Sequence, residues 1–202
     1  MTSTLKEISF VATWRPIDYI ICFKSSNFSI NFDATYDQDF ELIDLSIDYK
    51  HFIPSTKKLK AWKIAGKEYQ VGDVVRNLTT FEGTKVNVEA VWEDIEYIVE
   101  FISEETNSVD RKTVKYSEIC NFTTNLTYDG YYVSKFKNLN SGYSYTPMTT
   151  FSKLTTIDGD IIKFKIEWLE IEYSIRYLIN DVECGLYNLK YFSAHEIINC
   201  TE

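Results

Sequence analysis

The stretch Leu78-Thr-Thr-Phe-Glu-Gly-Thr-Lys-Val-Asn-Val-Glu-Ala-Val-Trp92 is answered 76 residues later by Leu154-Thr-Thr-Ile-Asp-Gly-Asp-Ile-Ile-Lys-Phe-Lys-Ile-Glu-Trp168. Leu, Thr, Thr, Gly and Trp recur at the same spacing. Between the shared glycine and the shared tryptophan, Val86, Val88, Ala90 and Trp92 map onto Ile162, Phe164, Ile166 and Trp168. Apolar residues at every second position place one face of a β-strand against a core. Gly83 and Gly159 take the turn before that strand. A copy without the Leu-Thr-Thr head occurs early in the chain, where Ile8, Phe10, Ala12 and Trp14 show the same alternation.

The residues after each tryptophan repeat as well. Ile17-Asp-Tyr-Ile-Ile-Cys-Phe23, Ile95-Glu-Tyr-Ile-Val-Glu-Phe101 and Ile171-Glu-Tyr-Ser-Ile-Arg-Tyr177 share one pattern. Tyr19, Tyr97 and Tyr173 lie on the same face as the residues two and four places further on. This is the opening strand of each unit, with Arg15-Pro16 marking a strand boundary. The chain therefore divides into 1–14, the closing strand of a preceding repeat; 15–92, a first unit; 93–168, a second unit; and 169–202, the first half of a further one. The period of about 76 residues exceeds that of solenoids, and each unit can bury a small core of its own. Two residues separate each tryptophan from the next opening strand. Junctions this short limit rotation more than a Gly/Ser linker does and imply a semi-rigid rod.

Inside the first unit, Phe28, Ile30 and Phe32 alternate as a second strand. Residues 41–53 read as strand through Ile43, Leu45 and Ile47, against a helical stripe Leu42, Leu45, Tyr49. Lys57-Lys-Leu-Lys-Ala-Trp-Lys-Ile64 is a further strand turned by Ala65-Gly66, and Val75 with Leu78 suggests a single helical turn. Trp62 has Phe136 as its counterpart in the second unit. Trp14, Trp92 and Trp168 are expected in cores or junctions. With Tyr and Phe numbering 15 and 13 and only 7 Gly and 3 Pro, the fold class is mainly β with little helix.

A net charge of −9 disfavours nucleic acid, which requires a basic face. No apolar run approaches a membrane span. Met1-Thr-Ser-Thr-Leu-Lys-Glu-Ile8 lacks the basic and apolar regions of a secretory signal, so any signal or anchor is expected outside these residues. Cys22, Cys120, Cys184 and Cys200 contain no Cys-x-x-Cys pair; buried free thiols are expected, with Cys184–Cys200 the pairing to watch.

His51 and His195 fall in different units without ligand spacing, and no phosphate loop, Gly-x-Ser-x-Gly elbow or zinc motif occurs. No enzyme, metal or cofactor is expected. The acidic group Glu93, Asp94, Glu96, Glu100, Glu104 and Glu105 reads either as a calcium-stiffened junction or as a solvated strand edge. In the tyrosine run, Tyr131 and Tyr145 fall on framework positions. Tyr132 and Tyr143 are left as candidate contacts for a protein or sugar partner.

The residues that carry the repeat resemble a known family. Asp129-Gly-Tyr-Tyr-Val-Ser-Lys-Phe136 is similar to the Gly-Tyr-x-Phe-x-Gly-Trp signature of the Listeria–Bacteroides repeat, the B-repeat of internalins. Gly130, Tyr131, Val133 and Phe136 hold the Gly, Tyr, Phe and Trp places. Thr56, Lys57, Leu59 and Trp62 hold them in the first unit, where the Gly and Tyr are lost. The strands ending at Trp92 and Trp168 resemble that family's closing Leu-x-Ala-x-Trp, and the opening strands its Tyr-x-Val-x-Phe start. The resemblance implies β-grasp-like units in a bacterial cell-surface protein, acting as spacers between adhesive domains and the wall. It also implies a possible host-surface protein or glycan as partner. On that reading the sequons at Asn27, Asn77, Asn121, Asn125 and Asn199 carry no glycan.

Overall fold

The computed structural model describes residues 8–25, 28–45, 49 and 53–198. The chain divides into two compact units between Glu93 and Asp94. Both are built from strands, and no helix occurs among the described residues.

In the first unit, β1 (Asp18–Ser25) and β2 (Phe28–Thr35) form an antiparallel hairpin. Strand β3 (Phe40–Glu41) leaves the sheet, β4 (Lys57–Ile64) and β5 (Lys67–Tyr69) form a second hairpin, and β6 (Val74–Val75) pairs with β3. Strand β7 (Lys85–Asp94) then enters the middle, parallel to β1, with Ile21 beside Val86 and Phe23 beside Val88. The sheet order is β2-β1-β7-β4-β5. Ala65 and Gly66 both have positive φ, as a two-residue turn twisted to match its flanking strands requires.

The second unit follows the same order. Strands β8 (Glu96–Ser103) and β9 (Ser108–Lys115) form the first hairpin. Strands β10 (Cys120–Asn121) and β13 (Thr150–Phe151) pair outside the sheet, as β3 and β6 do. Strand β11 (Tyr131–Asn138) pairs with β12 (Ser144–Tyr145), and β14 (Ile161–Glu170) lies between β11 and β8. It runs parallel to β8, with Val99 beside Ile162 and Phe101 beside Phe164. The two glycine turns dock alike: Gly83 donates to the Asp18 carbonyl at 2.8 Å and Gly159 to that of Glu96 at 2.7 Å. Both glycines have positive φ, which an L side chain adopts only at a cost.

Aromatic residues fill both cores. In the first unit Phe23 meets Trp62 edge-on at 4.7 Å and Phe32 at 5.5 Å. The Trp62 indole N–H donates to the Ile43 carbonyl at 3.1 Å, which lets the ring be fully buried. In the second unit Phe136 lies 4.9 Å from Phe101 and 5.7 Å from Phe122. Tyr19 and Tyr97 are buried; Trp92 and Trp168 are half-buried against their own cores. Each fully buried aromatic contributes on the order of 1.5–3 kcal/mol.

Unit two continues into a third hairpin, β15 (Glu172–Ile179) with β16 (Val182–Lys190), closed by Asn180 and Asp181 at positive φ. This two-stranded sheet has no further strand among the described residues.

Four expectations are corrected. Residues 8–14 do not form a strand, and Trp14 is 90% exposed. Among the described residues their apolar face meets no partner strand, and alternation alone does not bury a side chain. Tyr173 is 38% exposed: among the described residues β15 pairs only with β16, whereas the strands of Tyr19 and Tyr97 each have neighbours on both edges. Residues 42–45 are not strand: Leu42 and Leu45 are the buried pair, and Tyr49 N–H donates to the Leu45 carbonyl in an i to i+4 bond. Ile47 lies outside the described residues. Finally, Val74 and Val75 form a strand, so only Val75 is buried; Val74 points outward.

Candidate functional site

Tyr132 and Tyr143 are exposed, at 50% and 70%. They do not form one platform. Tyr132 is near the start of β11, opposite Leu169, while the Tyr143 carbonyl accepts from Asn138 at the strand's other end. Six residues of strand separate those ends by about 20 Å. Tyr145 turns inward and stacks on Phe122 at 4.6 Å.

The aromatic cluster that does assemble uses other members of the run. Tyr128 stacks on Tyr131 with centroids 4.2 Å apart and nearly parallel rings, and meets Trp168 edge-on at 5.9 Å. Phe192 closes on Tyr131 at 6.3 Å, with Tyr191 against Phe192 at 5.0 Å. Burial, and then the Glu170 carboxylate, push the Tyr131 hydroxyl above its ordinary pKa. The Trp168 indole N–H donates to the Ser103 hydroxyl at 3.0 Å.

Gly130 sits at the centre of this cluster. Its φ is +76°, and a Cβ there would lie 2.6 Å from both the Phe192 and Tyr191 rings. Its carbonyl accepts from Ile171 at 2.8 Å, and Ile171 in turn accepts from Tyr191 at 2.9 Å. Thus the root of the third hairpin is docked through Gly130, with Lys190 and Glu170 paired at 3.4 Å beside it. The sequence singled out Gly130 and Tyr131 but gave no sign of Tyr191 and Phe192, whose contact spans some sixty residues.

The acidic group does not converge. Glu93 pairs with Lys58 at 3.6 Å, Asp94 accepts from the Ser117 hydroxyl, and Glu104 pairs with Lys165. Glu100 is buried on β8, held by Arg111 at 2.7 Å and Lys163 at 3.9 Å. Lys165 is pushed above its ordinary pKa by its hydrogen bond to Glu104. The Glu93, Asp94, Glu100 and Glu104 carboxylates are thus each committed to a local cation or hydroxyl. No group of three or more His, Cys, Asp or Glu side chains converges among the described residues.

Cys22 and Cys120 are buried free thiols; Cys184 is disulfide-bonded. Cys200 lies outside the described residues, as do His51, Asn27 and Asn199. Burial, and then the Glu118 carboxylate accepting at 3.3 Å, push the Cys120 thiol above its ordinary value. Glu118 is held below the usual carboxylate range by the Lys115 backbone N–H and then by Cys120. His195 packs on Tyr187 at 4.6 Å, with Nε2 buried and without a hydrogen-bond partner. The Asn77 side chain is engaged with Asp37 at 2.6 and 2.9 Å.

A shallow cleft of about 280 Å³ lies between β9 and the loop after β10, lined by Asp110, Arg111, Lys112 and Thr124. Asp110 is spent on the Thr124 hydroxyl and the Asn125 N–H, at 2.9 and 2.8 Å. No nucleophile, base and orienting group come together there. No protein-family model matches the sequence, and no curated protein matches it.

Proposed function

We propose that this chain is a non-catalytic run of tandem β-grasp-like repeats of the Listeria–Bacteroides type, acting as a spacer that presents neighbouring domains at a bacterial cell surface. The observation that carries the reading is the shared plan of the two sheets. Each has a hairpin, a central strand parallel to the hairpin's first strand, and a second hairpin on the far side. Repetition of a scaffold suits length and presentation better than chemistry. Ile95 alone separates β7 from β8, and Ile171 alone separates β14 from β15. One-residue links leave little freedom, so the repeats act as a semi-rigid rod outside the cell.

The test is a distance distribution between one spin label in each unit, in the natural chain and with a Gly/Ser linker inserted after Asp94. A narrow distribution that the linker broadens fits the spacer. A broad distribution that the linker leaves unchanged removes the basis of the proposal. Direct adhesion to a host protein or glycan is the competing reading. It predicts saturable binding to cells or glycans that Tyr132→Ala or Tyr143→Ala abolishes; their separation argues for two weak contacts rather than one stacking platform.

A further inference from the structure

Each five-stranded sheet has an outer face, turned away from its own core, and there the two units differ. On β8 the core residues Tyr97, Val99 and Phe101 alternate with Ile98, Glu100 and Ile102, which lie on the outer face. Ile161 of β14 lies beside Ile98, and Val109 of β9 beside Ile102. Between these two aliphatic pairs runs a charged row, Glu100 with Arg111 on one side and Lys163 on the other. The buried Glu100 carboxylate lies 2.7 Å from Arg111 and 3.9 Å from Lys163. One negative charge is thus shared by two cations that reach solvent. Lys165 comes next on β14, beside Ile102, and Lys137 of β11 lies directly opposite Lys165.

Two features of this face cost stability. Like charges directly opposite on neighbouring strands repel, as Lys137 and Lys165 do. Val109 and Ile161 leave aliphatic surface in water, at 49% and 41% exposed. The first unit has the same sheet without either feature. Ser29 and Lys85 stand there at the places of Val109 and Ile161, and Asn31 and Asn87 at those of Arg111 and Lys163. Glu89 replaces Lys165 and lies beside Lys24, an opposite-charge pair. The scaffold therefore closes without an apolar and cationic outer face, which belongs to the second unit alone of the two.

We propose that the outer face of the second sheet docks an acidic protein partner. Its aliphatic side chains cover the two apolar pairs, and its carboxylates meet the cations around them. Charge complementarity selects the occupant: in a chain of net charge −9, four cations share this face with one buried carboxylate between them. The aliphatic pairs select a protein over a bare polyanion, which would engage the lysines and leave Val109 and Ile161 in water. Apolar side chains at the centre with charged groups around them are the anatomy of a protein interface. Docking here uses side chains on the face and adds no strand to an edge. The inference goes beyond the spacer reading and does not rest on it, since a stiff or a flexible array can carry such a face.

The experiment is selection of a random peptide library, displayed on phage, against the full chain, with the affinities of enriched peptides then measured by fluorescence anisotropy. The expected peptides combine Asp or Glu with Leu, Ile or Val, and bind saturably. Lys137→Glu weakens them by about tenfold. That change turns a like-charge pair into an opposite one, so the sheet is kept. Val109→Ser with Ile161→Lys installs the first unit's residues and also weakens binding. Lys63→Glu, at the place of Lys137 in the first unit, leaves it unchanged. Dextran sulfate, a polyanion without aliphatic groups, serves as the competing probe. Failure to enrich any acidic peptide overturns the proposal, as does binding that survives Lys137→Glu. Equal loss with Lys63→Glu overturns it too, since the attraction is then general to surface lysines. So does dextran sulfate binding as tightly as the peptides while Val109→Ser with Ile161→Lys changes nothing, because the face then reads charge alone.

Discussion

Strands β8 and β15 begin with nearly the same words and end in different environments. Ile95-Glu-Tyr-Ile-Val-Glu-Phe101 lies in a five-stranded sheet with Tyr97, Val99 and Phe101 buried. Ile171-Glu-Tyr-Ser-Ile-Arg-Tyr177 has the same apolar alternation, yet Tyr173 is exposed and Ile175 and Tyr177 are only half-buried. Both are first strands of antiparallel hairpins. The difference is the strand on the other edge. Burial here is a property of the completed sheet, and a strand pattern states only which face will be covered once a neighbour arrives.

The sharpest test of that account compares two residues at one repeat position. Phe164 is buried on β14, and Phe10 is its exposed counterpart. Phe164→Ala should cost about 3–5 kcal/mol through lost burial and the cavity left behind. Phe10→Ala in dilute solution should stay within about 0.5 kcal/mol. Urea unfolding of both variants checks this. Equal effects would mean that the early segment is packed, and the comparison would fail.

A smaller effect tests how the third hairpin is held. Gly130→Ala should cost about 1–2 kcal/mol from its left-handed backbone alone. Its new Cβ also drives Tyr191 and Phe192 away. The readout is amide exchange at Tyr191, whose N–H bonds to Ile171. Gly159 also has positive φ, but a Cβ there meets open space, so Gly159→Ala should leave the Tyr191 amide protected. Equal loss of protection in both variants would break the docking argument.

A pH-dependent effect tests the burial of Tyr97 in the closed second sheet. Burial raises the Tyr97 pKa, so the folded state holds that proton more tightly than the unfolded chain. Its contribution is whole below the unfolded value of about 10 and is lost as pH rises from there through the raised folded value. The urea midpoint should therefore fall above that pH. Tyr97→Phe should flatten the fall. A midpoint that falls as steeply in Tyr97→Phe assigns the loss to other groups.

The mainly-β character was legible because alternation is local: Val86, Val88 and Ala90 announce a strand without reference to anything distant. What failed to show was non-local or short. Leu42 and Leu45 lie three apart inside an apolar run that also fits alternation, and only the structure says which pair turns inward. Strand β6 has two residues, too few for any period to register. Trp14 has the right pattern, but among the described residues no strand pairs with its segment. At the candidate site, Tyr132 and Tyr143 were recognisable as off-framework, but their separation depends on the length of β11. Gly130 was visible as a motif position; its partners Tyr191 and Phe192 were not, since nothing local ties a glycine to rings so far along the chain.

The smallest effect concerns the cysteines and separates the closed sheets from the hairpin chemically. Cys22 and Cys120 are buried thiols in the two sheeted units, whereas Cys184 on β16 is already disulfide-bonded. Reactivity with an alkylating reagent follows the thiolate, and Cys120 is pushed upward by burial and by Glu118. Peptide mass mapping of the native protein near neutral pH should find Cys22 and Cys120 unmodified, and both should label once denaturant opens the sheets. Cys184 should label only after reduction. Because the reagent needs no mutation, it reports on the undisturbed molecule. Labelling of Cys120 in the native state at a rate close to the denatured one would mean that the second sheet opens readily. The contrast between closed sheets and open hairpin would then be one of degree rather than of kind.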